Sequence, residues 1–427
     1  MALSIVDHAR RASQLLLGLL FVTVVTLAAA NAAETVLYRF KGGNDGNYPF
    51  AGLLMDSSGA LYGTTMEGGA GSGTVFKLIP PESPATAWTK IVLHRFDGTD
   101  GARPSSRLIR DASGALYGTT FQGGADCSLG RGCGTVFKLT PPTAPATTWT
   151  RTVLYRFVET DKSGEPQGEL VLDRNGALYG TTYEFYCCGN GTVFKLTPPG
   201  PSGGDWTKSV IYRFKGGRDG ATLPAGLIIG EDGALFGTTQ DEGDFDHGTV
   251  FKLTPRADPA AKWIKTVLYR FKGRKDGKAP YAKLVAGEDG VLYGTTSSGG
   301  IELNGTVFKL SPPTPLSSKW TFTVLHRFKG GQDGSQPYSE LAIDRQGSLY
   351  GTTSFGGAGW GTVFKLTPPA TSSASWTRTI LHRFQGGKDG AEPYAGLILD
   401  ENGVLYGTTF RGGRLCQNGC GTVFKVQ

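Results

Sequence analysis

The chain predicts an all-β fold: a seven-bladed β-propeller with four antiparallel strands per blade, its ring closed by an N-terminal strand joining the three C-terminal strands. Three observations carry this reading. The first is a repeat. Leu61-Tyr62-Gly63-Thr64-Thr65, a Gly-rich gap and Gly73-Thr74-Val75-Phe76-Lys77 form a unit present seven times in the 427 residues, with Phe236 in the tyrosine place of the fourth. Its central glycines are Gly63, Gly118, Gly180, Gly237, Gly294, Gly351 and Gly407, spaced by 55, 62, 57, 57, 57 and 56 residues. A fixed period of this size marks stacked supersecondary units. The second is that each period reads as four short strands with no helical periodicity. The third is the phase of the ends. The chain after residue 32 begins on a fourth-strand signal, Thr35 to Phe40, and ends on a third-strand signal, Gly421 to Gln427.

The elements follow in order. Residues 1–32 read as a secretory signal peptide. Arg10 and Arg11 supply the charged region, Leu15 to Leu27 the apolar core, and Ala30-Asn31-Ala32 the small-x-small cleavage site. Residues 33–427 are then the propeller, secreted or periplasmic after cleavage near Ala32. No second apolar run is long enough to span a membrane. In the first full unit, strand A is Phe50 to Met55 and Asp56-Ser57-Ser58-Gly59 a turn. Strand B is Ala60 to Thr65, and strand C is Thr74 to Ile79, closed by Pro80-Pro81. Proline cannot donate to a ladder, so the pair ends that strand. Strand D is Lys90 to Phe96, and Asp97-Gly98-Thr99-Asp100-Gly101 turns the chain into the next unit. Six C-to-D connections carry a Trp (Trp88, Trp149, Trp206, Trp263, Trp320, Trp376), and the seventh is where the termini lie. Tyr62, Phe76 and Phe96 and their equivalents read as packing between blades. The D-strand histidines His94, His326 and His382 occupy a Tyr position and read as structural.

Composition supports a folded repeat. The 65 Gly and 23 Pro sit at repeat-fixed turns, a register that disorder would lack. The formal charge is +7, but fourteen Lys and Arg are repeat positions spread around the ring. A nucleic-acid binder concentrates its cations on one face, so the charge does not point to nucleic acid.

Leu-Tyr-Gly-Thr-Thr, Gly-Gly, Gly-Thr-Val-Phe-Lys-Leu and Leu-Tyr-Arg-Phe-Lys-Gly-Gly-x-Asp-Gly resemble the GloVer tandem-repeat family over residues 35–427. These are exported bacterial proteins also described as choice-of-anchor. The resemblance implies secretion and a propeller and transfers no catalytic residue. Many members end in an anchoring tail, whereas this chain stops at Val426-Gln427, directly after a strand.

In a propeller the D–A and B–C loops share one face. The D–A loops repeat an Asp-Gly turn at Asp45, Asp100, Asp219, Asp276, Asp333 and Asp389. That reads as an Asx-type turn rather than a cation ring, since one Asp per blade rarely gives the converging oxygens that Ca²⁺ needs. The B–C loops differ from one another, which is where a shared frame acquires individual function. Three of them carry the six cysteines, paired locally as Cys127/Cys133, Cys187/Cys188 and Cys416/Cys420. In an exported chain these read as disulfides, although a vicinal Cys187–Cys188 bridge strains the intervening peptide. Blade 4 places Asp241, Asp244 and Asp246 beside His247, and Tyr183, Tyr186, Phe355 and Trp360 put aromatic rings on the loops of blades 3 and 6. These eight residues are the candidate ligand contacts. Rings there suit stacking on sugars or burial of an apolar ligand. No catalytic constellation, resident metal or cofactor is called for by the sequence. Three functions remain: a non-catalytic module binding a glycan, cell-envelope component or extracellular protein; an enzyme acting on extracellular polysaccharide, which needs two carboxylates at catalytic separation; and a structural surface-layer protein. A deep polar pocket favours the enzyme, and an aromatic-rimmed shallow face favours the binder.

Overall fold

The computed structural model describes residues 33–124, 127, 130–161, 163–183, 189–243, 246–258, 261–315, 317–371, 374–413, 415–416 and 419–427. Within them are seven antiparallel sheets of four strands. Blade 1 consists of Leu54–Met55, Leu61–Thr65, Thr74–Ile79 and Thr89–Arg95. Blade 7 is composite, as the phase of the ends requires: Glu34–Arg39 pairs antiparallel with Thr422–Val426. Ala33 and Gln427 extend the seam with reciprocal backbone hydrogen bonds of 3.1 and 3.3 Å. The expected signal peptide lies outside the described residues. No helix among the described residues is long and apolar enough to cross a membrane. Cys127–Cys133 and Cys416–Cys420 are disulfides, with Cα atoms 5.8 and 5.7 Å apart. Cys187 and Cys188 lie outside the described residues.

The motif glycines explain themselves in the ladder. Gly63 of strand B lies opposite Phe76 of strand C. A Cβ on Gly63 would stand 2.6 Å from the Phe76 ring, so only glycine leaves room for it. Each such ring meets, edge-on, the phenylalanine that follows strand D of the preceding blade. Phe40–Phe76 are 5.2 Å apart, Phe96–Phe137 5.1 Å and Phe384–Phe424 5.1 Å between centroids. The strand-B tyrosine faces the next interface, where Tyr62 meets Trp149 of the following blade at 6.3 Å and donates to Asp56 at 2.9 Å. The cluster between blades 6 and 7 has Tyr350 but no Trp, because the termini interrupt that connection.

The inner strand is shorter than Phe50 to Met55: only Leu54–Met55 pairs, and its equivalents are also two residues long. The preceding residues instead converge on the axis. At one level the seven blades contribute Gly52, Arg107, Glu169, Gly226, Lys283, Glu340 and Gly396. Arg107 pairs with Glu340 at 2.5 Å and Lys283 with Glu169 at 2.8 Å, joining blade 2 to 6 and blade 3 to 5. The glycines give these side chains space. A Cβ on Gly226 would lie 2.8 Å from the Glu169 carbonyl, and one on Gly396 would collide with Glu340 Cγ. Burial pushes the Glu169 carboxyl above its ordinary range, with Glu340 adding to the shift. These two ion pairs form a charged septum across the channel.

The D-strand histidines are structural, as expected. His94, His326 and His382 share hydrogen bonds with Asp100, Asp333 and Asp389 at 2.7, 3.2 and 3.3 Å. Tyr38, Tyr212 and Tyr269 donate to the corresponding Asp45, Asp219 and Asp276. Each turn aspartate also caps the backbone, as when Lys41 N donates to Asp45 at 2.8 Å. A basic residue on the next D strand completes several of these groups: Lys90 with Asp45 at 2.9 Å, Lys265 with Asp219 at 2.8 Å, Arg378 with Asp333 at 2.7 Å. At the seam the same register position is Glu34, since Glu34 lies opposite Val426 as Lys90 lies opposite Leu78. An acid therefore faces Asp389 and His382, with Arg39 on its own strand. Its buried Oε1 has no hydrogen-bond partner.

Two outcomes are expected. Burial first, then Asp389, raises Glu34 to about 7, against the countering His382 and Arg39. A raised carboxyl favours the closed seam when protonated, so its contribution is full below the ordinary value of 4.5 and is lost as pH rises through about 7. Hydrogen exchange of residues 34–39 and 422–426 should accelerate more between pH 5.5 and 8.5 in the native chain than in Glu34→Gln; equal pH responses would refute this. For the septum, Arg107→Met leaves Glu340 without its cation. Because the Arg107 side chain keeps 25% exposure, the expected cost in chemical denaturation is about 2–4 kcal/mol, at or below that of a fully buried pair. The double change Arg107→Met/Glu340→Leu should recover most of it.

Candidate functional site

The site is built on the face shared by the D–A and B–C loops, around the channel mouth. Seven equivalent residues there adopt left-handed backbone: Tyr48, Arg103, Glu165, Thr222, Ala279, Gln336 and Glu392, with φ between 54° and 61°. None is glycine, although such a conformation costs an L-residue roughly 1–2 kcal/mol. Both backbone groups are clamped. Tyr48 N donates to the Cys420 carbonyl of blade 7, and Tyr48 O accepts from Met66 N of blade 1, at 3.0 and 3.1 Å. The same two bonds recur at the other six positions. The backbone is thus constant while the side chain changes at every blade. Persistent strain of this kind is a pointer to function.

Inside this ring runs an arc of aromatic rings from blades 5, 6, 7 and 1. Tyr281 meets Tyr338 at 5.4 Å, Tyr338 meets Tyr394 at 5.6 Å, and Tyr394 stacks on Phe50 at 5.5 Å. Phe410 stands edge-on to Phe50 and Tyr394 and stacks on Tyr48 at 4.9 Å. Gln167 reaches across the axis to donate to the Tyr281 hydroxyl at 2.5 Å. Burial raises the pKa of that hydroxyl, with the nearby Tyr183 adding to the shift. Polar groups border the arc. Arg411, 50% exposed, lies 5.8 Å from the Phe410 ring and pairs with Glu392 at 3.2 Å. Arg103 pairs with Glu67 at 3.4 Å. Beneath the arc a cavity of only 100 Å³ separates the mouth from the septum.

The residues singled out from sequence are not gathered into one cluster. Tyr183 stands at the mouth, its ring 6.3 Å from Phe121. Asp241 is half-buried; burial raises its carboxyl, against a hydrogen bond from Thr222. Asp246 is exposed, and its carboxylate accepts from Glu242 N at 3.1 Å. His247 and Trp360 hold equivalent positions immediately before strand C. His247 lies over Gly273, Trp360 over Gly386, and Asn190 and Asn304 likewise approach Gly216 and Gly330. His247 is therefore on the repeat grid, at a position that packs against the next D–A turn. Phe355 is half-buried and forms a backbone bridge with Ser335. Tyr186 and Asp244 lie outside the described residues. No group of three or more His, Cys, Asp or Glu positioned to hold a metal is present among the described residues.

Sequence reasoning passed over Tyr48, Phe50, Tyr281, Tyr338, Tyr394 and the septum. The signal is a run of varying residues between the D–A turn, Asp-Gly in six blades, and the constant Leu before strand A. Those residues read as a turn and a strand in sequence and line the channel in the structure.

The fold resembles several solved structures at low identity. A putative oxidoreductase (glucose dehydrogenase) from Thermus thermophilus is 13% identical over 93% of this chain and all of its own, with a TM-score of 0.42. A protein of unknown function from Dyadobacter fermentans is 10% identical over 92% of this chain and 98% of its own, with a TM-score of 0.44. The NanB sialidase from Streptococcus pneumoniae is 12% identical over 92% of this chain and 70% of its own, also at 0.44. Similarity this low carries no function to the present chain. No curated protein sequence matches it. The Gloeobacter/Verrucomicrobia repeat matches residues 22–228, 131–319 and 314–427, together spanning the whole propeller, and the chain belongs to that repeat family.

Proposed function

We propose that this protein is an exported, non-catalytic binding module that holds an extended glycan or a glycan-bearing cell-envelope component across the channel mouth. The observation that carries the reading is the ring of seven strained, side-chain-varied positions enclosing a continuous aromatic arc. Aromatic faces stack on the apolar face of a sugar ring, and the bordering Arg411, Arg103 and Glu67 offer hydrogen bonds to hydroxyls. Shallowness supports a ligand lying across the mouth rather than one swallowed by it. Sites that enclose small molecules are about 300–1,000 Å³, and this cavity is 100 Å³. The enzyme reading is weaker because the axial carboxylates Glu169 and Glu340 are each engaged by a cation. Two local disulfides accord with an oxidising compartment and with the leader read from sequence.

An extracellular protein partner is the second reading, favoured by one specific observation. Ile301, Leu303, Leu415 and Trp360 are 69, 60, 52 and 44% exposed on the B–C loops of blades 5 to 7. Aliphatic tips of this kind offer more to a protein than to a sugar.

A glycan array probed with the full chain tests the first reading. Binding of at least one polysaccharide class is expected, weakened by about 1–3 kcal/mol in Tyr394→Ala and in Tyr48→Ala if these rings are hot spots. Neither change should lower the melting temperature comparably. Binding that survives both changes but is lost in Trp360→Ala would move the glycan site to the rim, and binding of no glycan class would favour the protein reading.

A further inference from the structure

The septum borders two cavities. One of 100 Å³ lies on its D–A/B–C side, and one of 380 Å³ on the opposite side. The second is a cup. Its walls are inner-strand residues of blades 4 to 7, chiefly Ile228, Val285, Ile343 and Leu399, all partly exposed. Its floor is the septum, presenting Arg107, Lys283 and Glu340. Grooves of 870 and 570 Å³ on the same face lie between neighbouring blades and are lined by repeated turn residues. The cup is different. It lies on the axis, and no repeat rule dictates its charges, since the same level carries glycine in blades 1, 4 and 7.

The floor has more donors than acceptors. Arg107 has five N–H groups and Lys283 three. Arg107 is bonded to Glu340 and Lys283 to Glu169, at 2.5 and 2.8 Å. Glu169 lines the mouth-side cavity and is absent from the lining of the cup. Two cations and one carboxylate thus line the cup, an excess of N–H donors at its floor, although Glu169 behind them balances the charge of the septum. A ligand with an acceptor-rich, negatively charged end meets that imbalance, and an aliphatic body meets the walls. Concave, apolar sites with a few converging polar groups in this size range are typical of small-molecule binding.

We infer that the cup on the A–B/C–D face is a binding site for a small anionic amphiphile, an aliphatic chain whose carboxylate-like head rests on Arg107 and Lys283. This site is separate from the mouth and does not depend on what the mouth binds. A glycan bound on one face and an amphiphile held in the other would suit a protein working at an envelope surface, where both chemistries occur together.

Isothermal titration of the full chain with decanoate, 1-decanol and acetate tests the assignment. Decanoate should bind one-to-one and about ten-fold or more tighter than decanol, as expected for one charge-assisted hydrogen bond. Acetate, lacking the chain, should give no measurable heat. Val285→Asp should abolish decanoate binding by charging the wall. Arg107→Gln should erase the preference for decanoate over decanol while decanol still binds. Ile301→Asp, an exposed change on the opposite face, should leave decanoate affinity unchanged. Should Arg107→Gln fail to fold, the head-group comparison on the native chain and Val285→Asp still decide. Equal affinities for decanoate and decanol, several decanoates per chain, or undiminished binding in Val285→Asp would each overturn the inference.

Discussion

Seven edge-on phenylalanine pairs hold the ring together, and most other features adjust to them. In each pair one ring comes from strand C and lies against a glycine of its own blade. The other comes from the end of strand D in the blade before. Because the partners belong to different blades, no pair can form until two sheets are packed. The glycine cannot be varied without displacing a ring, and the ring cannot be varied without emptying an interface. That mutual constraint accounts for the fixity of the strand-B glycine and the strand-C phenylalanine across all seven copies, whereas the neighbouring strand-B tyrosine gives way to Phe236 in blade 4.

The fold was legible because its determinants are repeated. Strand identity, blade count and the composite seventh blade follow from spacing and phase, and the lone interface without Trp follows from where the chain ends fall. The site was less legible, for a physical reason. Repetition makes constant positions visible and varying positions look like noise, whereas a channel on a symmetry axis is lined only by the varying ones. Arg107, Glu169, Lys283 and Glu340 are far apart in sequence and meet because the residues before the inner strands of blades 2, 3, 5 and 6 all border the narrow channel. No local pattern announces such a meeting. His247 illustrates the converse. By sequence it is a candidate ligand contact, yet the structure gives it a neighbour, Gly273, that its counterparts have in kind.

The seam departs from the other interfaces in two ways. It is closed by hydrogen bonds between strands from opposite chain ends rather than by a covalent connection. It also replaces a cation with Glu34 at a position where several other blades place Lys or Arg over a turn aspartate. Both differences fall where the ring has least redundancy. The septum adds ties of another kind, since its two ion pairs link blades that are not neighbours, 2 to 6 and 3 to 5.

The left-handed residues of the mouth have a consequence for how such a protein can change. Each is fixed by its own N–H and carbonyl, not by its side chain, so replacing one side chain leaves the backbone geometry in place. Of the seven sites of this kind, Glu165 and Glu392 are buried, and the other five form a combinatorial surface. The propeller can present Tyr at one station and Arg, Thr or Gln at others without renegotiating its packing. Recognition in this architecture can therefore diversify by substitution alone, with no loop lengthened and no strand moved.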